Sequence, residues 1–318
     1  MHECQVYERH HTPMLSIDRI LHPTDFSDSA GDACAYALDL AVRTGAALRV
    51  LHVVHGREEY TTETHLDEQG QEALLIRLRE MANAHLGALP SAARNTLDLS
   101  YELVESRHAA PAIVEHVERY GIDLIVMGTH GRRGLRHLIL GSVAEEVLRR
   151  ASSPMLVVHR RETPGPVARI VVPIDFSDHS NAALAHAKEL AELYHAALTL
   201  LFVAEEHVVP FFSDTGIPTF TLMKIDPDIV AKAGEALRQL DAQTGGSGVS
   251  TTYEVRTGQP PNEVVGYARE HKADLIVMAT RGITGVERGL IGSVTERVVR
   301  TASCPVWTLN PSSEASIP

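Results

Sequence analysis

DLIVMGTHGRRGLRHLILGSVAEEVLRRASSPMLVV, residues 123–158, is answered further along by DLIVMATRGITGVERGLIGSVTERVVRTASCPVWTL, residues 274–309. The offset is 274 minus 123, or 151. Working outward, ILHPTDFSDSA from Ile20 is answered by IVVPIDFSDHS from Ile170, with an offset of 150 between Asp25 and Asp175. Two matches at nearly one offset mean a duplicated unit, too long for a solenoid repeat and about the size of an independent domain.

The spacing places one domain over residues 15–162 and a second over 167–311, with tails at 1–14 and 312–318. Their seam falls in the Arg160 to Ala168 segment, where Pro164, Gly165 and Pro166 break any regular element. Within each copy, short β-rich runs alternate with amphipathic helical patterns, which implies βαβ units and a parallel sheet. Strands are expected near Arg19 to Pro23, Leu48 to Val54, Leu97 to Val104, Leu124 to Gly128 and Met155 to His159. In the second copy they are expected near Ile170 to Pro173, Ala197 to Val203, Ser250 to Val255, Leu275 to Ala279 and Val306 to Leu309. The first helix should start after Ser27, Asp28 or Ser29 and stop at Gly45, burying Ala33, Tyr36, Ala37, Leu40 and Ala41. Runs such as LIVM suit a sheet covered by helices on both faces. The expected fold is therefore α/β, with two tandem, doubly wound, five-stranded, Rossmann-like domains.

Composition narrows the function. The chain has 318 residues, 44% hydrophobic and 22% charged, with a formal net charge of −12 and no long basic stripe. Nucleic acid is thus not an expected partner. No apolar run reaches the roughly 18 residues of a membrane span, and MHECQVYERHHTPM lacks a signal's apolar core, so a cytoplasmic protein away from membranes is expected. Cys4, Cys34 and Cys304 show no CxxC spacing and read as free thiols. His10 and His11 invite a metal, but no paired carboxylates or HExxH accompany them, and His52 reads as structural.

In a doubly wound sheet, ligands sit at the carboxyl ends of the strands where the winding reverses. If the first and fourth strands flank that point, Pro23, Thr24 and Asp25 face Gly128, Thr129, His130 and Gly131. The loop from Arg132 ends at Gly141-Ser142, where the helical pattern VAEEVLRR begins. Glycines let backbone approach a bulky anion, and a helix N-terminus supplies unpaired N–H groups with a positive dipole end, so phosphate is the ligand this pattern suits. A lone glycine pair would be turn chemistry, but G-x2-G-x9-G-S is more specific.

On these residues the chain resembles the universal stress proteins of the nucleotide-binding subclass, over nearly all of both halves. The family motif G-x2-G-x9-G-[ST] is met by Gly128, Gly131, Gly141 and Ser142, and the first-strand Pro-Thr-Asp-Phe-Ser by Pro23 to Ser27. The resemblance implies an adenine nucleotide (ATP, ADP or AMP) with Mg2+ among its phosphates. It assigns Asp25 to ribose and adenine, Val53 to the adenine pocket, Met127 and Gly128 to sugar or base, and His130, Gly131, Gly141, Ser142 and Val143 to phosphate, with Arg132 beside them. In the second copy the matching positions are Asp175, Val203, Met278, Ala279, Arg281, Gly282, Gly292, Ser293 and Val294. Two of these depart from the pattern. Ala279 replaces the first motif glycine, so its Cβ either crowds a ligand or is harmless, and Arg281 replaces the histidine and offers phosphate a charged fork. The resemblance also implies that PMLVVHR and PVWTLN pair antiparallel within the chain, leaving further homodimerisation open.

Three other features have two readings each. Asp25 and Asp175 follow strands and precede helices, so each either faces a ligand or starts its helix. Arg132, Arg133 and Arg136 are either a solvated loop or a clamp on a triphosphate. Val208 to Phe220 is read as an apolar loop, either folded on its own domain or a lid or partner surface. No P-loop and no GxSxG nucleophile elbow are present, so binding with at most slow hydrolysis, read by an unidentified protein partner, is expected ahead of an ATPase or other nucleotide-processing enzyme. A phosphorylated receiver domain is disfavoured because the fifth strands lack its lysine.

Overall fold

The computed structural model describes residues 16–55, 67–87, 89, 91–129, 140–159, 167–205, 208–212, 218–222, 227–245, 248–282 and 291–310, with backbone alone at 92, 93, 208–212, 218–222 and 227. The expected seam at 160–166 lies outside them.

The first half runs β1 (Arg19–Pro23), α1 (Asp28–Thr44), β2 (Ala47–His55), α2 (Glu68–Leu86), α3 (Ser91–Thr96), β3 (Leu99–Ser106), α4 (Ala109–Tyr120), β4 (Leu124–Gly128), α5 (Ser142–Arg150) and β5 (Met155–Val158). The second runs β6 (Arg169–Ile174), α6 (Asp178–Tyr194), β7 (Ala197–Glu205), β8 (Val208–Phe212), β9 (Pro218–Leu222), α7 (Pro227–Gln243), β10 (Thr251–Gly258), α8 (Pro260–Glu270), β11 (Leu275–Ala279), α9 (Ser293–Thr301) and β12 (Val306–Leu309).

Ten of the strands form one sheet in the order β10-β7-β6-β11-β12-β5-β4-β1-β2-β3. Within each half of this sheet every pairing is parallel, and the winding reverses between β1 and β4 and between β6 and β11. The halves join through the antiparallel pair of β5 and β12, in the register Val157 with Val306, Leu156 with Trp307 and Met155 with Thr308. This is the pairing that PMLVVHR and PVWTLN led us to expect. It leaves neither central strand with an open edge.

Alternation along the strands divides the core in two. Ile20, Val50, Val126 and Leu156 face one helical layer with α1 and α6, while Leu21, Leu51, Ile125 and Val157 face the other with α4, α5, α8 and α9. Both apolar layers continue across the seam, with the fully buried Trp307 in the first. Helix α1 begins as the sequence suggested: Ser27 Oγ accepts from Ala30 N, and Gly45 ends the helix with φ 77. Of its expected stripe, Ala33, Ala37, Leu40 and Ala41 are buried, and Tyr36 is half-buried.

The stretch read as an apolar loop is instead partly a hairpin. β8 and β9 pair antiparallel, with Val209 opposite Thr221 and Phe211 opposite Thr219. Pro210 and Pro218 resemble loop breakers, but each sits in a two-stranded ribbon, where an outward nitrogen needs no ladder partner.

Candidate functional site

The carboxyl ends of β1 and β4 meet at the reversal point. Pro23 and Thr24 are buried there and Asp25 is half-buried. Thr24 N donates to Leu51 O at 2.8 Å, Phe26 N donates to Thr24 Oγ1 at 3.1 Å, and Ser27 N donates to Asp25 Oδ1 at 3.0 Å. These bonds hold Phe26 at φ 63, and its counterpart Phe176, beside the equivalent bond from Ser177 N to Asp175 Oδ1, has φ 61. A bulky residue with left-handed backbone costs of order 1–3 kcal/mol, so its recurrence marks a constrained link between strand and helix.

The helix-starting residues are Ser27 and Ser177, not the aspartates. Ser27 Oγ accepts from Ala30 N at 3.3 Å and Ser177 Oγ from Ser180 N at 3.2 Å. Asp175 Oδ1 in turn accepts from Ser177 N at 3.0 Å and Ser177 Oγ at 2.6 Å. Each aspartate thus fixes the turn ahead of the cap from the rim of the crevice.

On the other side of the crevice, one backbone bond closes the glycine motif. Gly141 N donates to Thr129 O at 2.6 Å, and Gly292 N to Thr280 O at 2.8 Å. The N-terminus of α5 is drawn onto the end of β4, and that of α9 onto the end of β11. Gly141 and Gly292 are the N-caps, and neither has a side chain to bond the first-turn N–H groups. Ser142 and Ser293 are exposed beside those groups, while Val143 and Val294 are half-buried against the α4/α5 and α8/α9 layer. Val53, Met127 and Val203 pack against the same layer, as does the buried Met278. Such an arrangement presents N–H donors and a positive helix end to an anion, next to an apolar floor.

His130, Gly131 and Arg132, with Arg133 and Arg136, lie outside the described residues. Their second-half counterparts Arg281 and Gly282 are half-buried at the end of β11. A Cβ added at Gly128 would stand 2.5 Å from Ser29 Oγ and 2.6 Å from Ser29 O, so the neighbour pressing on this position is the first turn of α1.

Two aspects of the site were not read from the sequence: the anchoring role of Thr129 and Thr280, and the burial of His22. Thr129 and Thr280, both almost fully buried, are the anchors of the glycine motif. His22, one residue before Pro23, is fully buried, its Nδ1 2.8 Å from Val126 O, and burial holds its pKa down at about 4. A histidine inside an otherwise apolar strand would have been the signal. His52 is tied to the backbone, as expected of a structural residue: its Nδ1 lies 2.7 Å from Thr24 O and its ring 4.6 Å from that of Phe26.

Among the described residues, no group of three or more His, Cys, Asp and Glu side chains is arranged to hold a metal ion. None of their helices is long and apolar enough to cross a membrane.

Fold and crevice together define a tandem pair of doubly wound α/β domains with a glycine-capped helix at each switch point. The family model described as universal stress protein family matches residues 16–159 and again 166–310, and the chain belongs to that family. It is similar to universal stress protein MJ0531 of Methanocaldococcus jannaschii, 40% identical over 139 residues that cover 43% of this chain and 79% of that protein. Similarity to universal stress protein Slr1230 of Synechocystis runs through both halves, at 26% identity over 91% of this chain and 98% of the relative. Among solved structures, a universal stress protein from Archaeoglobus fulgidus superposes with a TM-score of 0.63 over 92% of this chain and 98% of the other. At 20% identity it speaks for the fold.

Proposed function

We propose that this protein binds an adenine nucleotide, ATP foremost, in the crevice of each half and passes the bound state to a protein partner, with at most slow hydrolysis. The observation that carries this reading is the bond from Gly141 N to Thr129 O, repeated as Gly292 N to Thr280 O, which sets an uncapped helix end beside the strand carrying the aspartate. In the first half, Asp25, Val53, Met127 and Gly128 take ribose and base, and Gly141, Ser142 and Val143 the phosphates, with His130, Gly131 and Arg132 completing the set. In the second half, Asp175, Val203, Met278 and Ala279 take ribose and base, and Arg281, Gly282, Gly292, Ser293 and Val294 the phosphates. Where Mg2+ accompanies the nucleotide, its ligands on this reading are chiefly phosphate oxygens and water. The protein works in the cytoplasm on this reading.

Calorimetric titration of nucleotide-stripped protein with ATP and magnesium tests the proposal. Two equivalents of ATP are expected, one lost in Gly131→Trp and the other in Gly282→Trp. One equivalent, lost only with Gly131→Trp, restricts the function to the first half. An absence of binding refutes it.

A further inference from the structure

The two crevices are connected through the seam by a crossed pair of hydrogen-bonded links. The first starts at the second crevice. Gly292, which caps α9, is held by Thr280 O; Thr280 Oγ1 lies 2.7 Å from Asn310 Oδ1, to which it donates. Asn310 Nδ2 donates to Ala151 O, and Ala151 is the residue that ends α5 of the other half. Helix α5 begins at the first crevice, after Gly141.

The second link runs the opposite way. Gly141 N is bonded to Thr129 O, and Thr129 N to Val158 O at 3.1 Å. The next residue, His159, reaches across the seam with Nε2 2.7 Å from Val299 O, in the last turn of α9. A carbonyl partner requires Nε2 to carry the proton. Helix α9 begins at the second crevice, after Gly292. Thr129 and Thr280 are each 2% exposed and His159 is 8% exposed, so the second link runs through the interior, while the first passes through the half-buried Asn310.

His159 and Asn310 stand at equivalent positions, 310 minus 159 being the same 151 that separates the glycine motifs. They are different residues doing the same geometric task. Each helix they grip has nine residues. That makes a rod of about 13 Å with one end at its own crevice and the other in the grasp of the opposite half.

We infer that His159 and Asn310 are positioning residues that couple the two crevices: an anion settling on the N-terminus of one helix changes the order of the other half's helix N-terminus. Neither residue touches the ligand. The inference rests on the nucleotide reading above. An exposed ion pair between Arg300 and Glu145, at 3.8 Å, spans the same two helices but is too solvated to carry the coupling.

The test uses the full chain with Gly282→Trp, which leaves the first crevice as the binder. ATP with magnesium is added, and hydrogen exchange is read at residues 292–296 of the blocked half. Slowing of about fivefold or more, the lower end of ordinary site-to-site coupling, is expected there. It should vanish when His159→Ala and Asn310→Ala are added, while the ATP affinity of the first crevice stays within about twofold, well below that coupling scale. The exchanged pair His159→Asn with Asn310→His should restore it, which a loss of mere packing would not predict. ATP binding without slowing across the seam overturns the coupling and leaves the nucleotide reading standing, as does slowing that survives the alanine variants. No ATP binding in the unsubstituted chain overturns both.

Discussion

Gly282 and Asp175 touch across the second crevice: the place a Cβ would take at residue 282 is already filled by Oδ2 of Asp175. The carboxylate cannot simply swing aside, because its other oxygen holds Ser177 N and Ser177 Oγ. Gly282→Ala should therefore shift the urea midpoint down, costing about 1–3 kcal/mol as overpacking does, and weaken second-half ATP binding. An unchanged midpoint and an unchanged isotherm together would mean that the aspartate and the motif glycine do not constrain each other.

The first motif glycine answers to a different neighbour. Gly128→Ala drives a methyl group into Ser29 and should destabilise the first half by roughly 1–3 kcal/mol. The second half carries Ala279 in its native core at 9% exposure, so Ala279→Gly should cost about 1 kcal/mol or less, through backbone freedom. Equilibrium unfolding of the two variants gives the comparison, and equal losses would show that strand and helix are spaced alike in both halves.

Acid should destabilise the first half through His22. Its folded pKa of about 4 lies below the ordinary 6.5, chiefly because burial disfavours the charged ring, with His85 adding repulsion and Asp25 opposing it. The unfolded chain therefore binds this proton more readily. Stability is full above pH 6.5 and falls as the pH drops from there toward 4, by roughly 3 kcal/mol over the window. His22→Val, which installs the residue found at the matching position Val172, should flatten that slope. His116 and His186, also held below the usual histidine value by burial, leave a residual slope of the same sign. Parallel urea titrations between pH 7 and pH 4.5 would expose an equal slope in both proteins if His22 had no part in it.

Cys34 and Cys304 should be chemically silent in the folded protein. Both are buried and neither forms a disulfide, and burial pushes the Cys34 thiol up to about 12. A thiolate-specific reagent at pH 8 should label neither until denaturant is added. Native-state labelling at either position, mapped by peptide mass, would contradict the packing beneath α1 or at the start of β12.

The repeat made most of the architecture legible, because a strand buried on both faces must be continuously apolar and a switch point must lie between the first and fourth strands. Leu124 to Gly128 and Leu275 to Ala279 could be read to the residue for that reason. Gly45 announced the end of α1 through its left-handed preference. What escaped notice depends on contacts between residues far apart in the chain. The burial of His22 shows only once α1 is laid over β1. That α1 presses on Gly128 shows only once Ser29 is brought against it. His159 and Asn310 look like polar strand ends, since nothing near them in sequence reveals the helices across the seam. The hairpin of β8 and β9 was hidden by its two prolines, although Thr219, Phe220 and Thr221 alternate as a strand should.

The antiparallel junction of β5 with β12 has an evolutionary consequence. In a symmetric dimer one substitution lands on both sides of the twofold axis, and the contact forms only as concentration permits. Here the linker keeps the two surfaces together at any dilution. A change at one side leaves the other untouched. The seam is released from self-complementarity, and the exchange of a histidine for an asparagine at matching positions is a divergence that a homodimer could not have recorded.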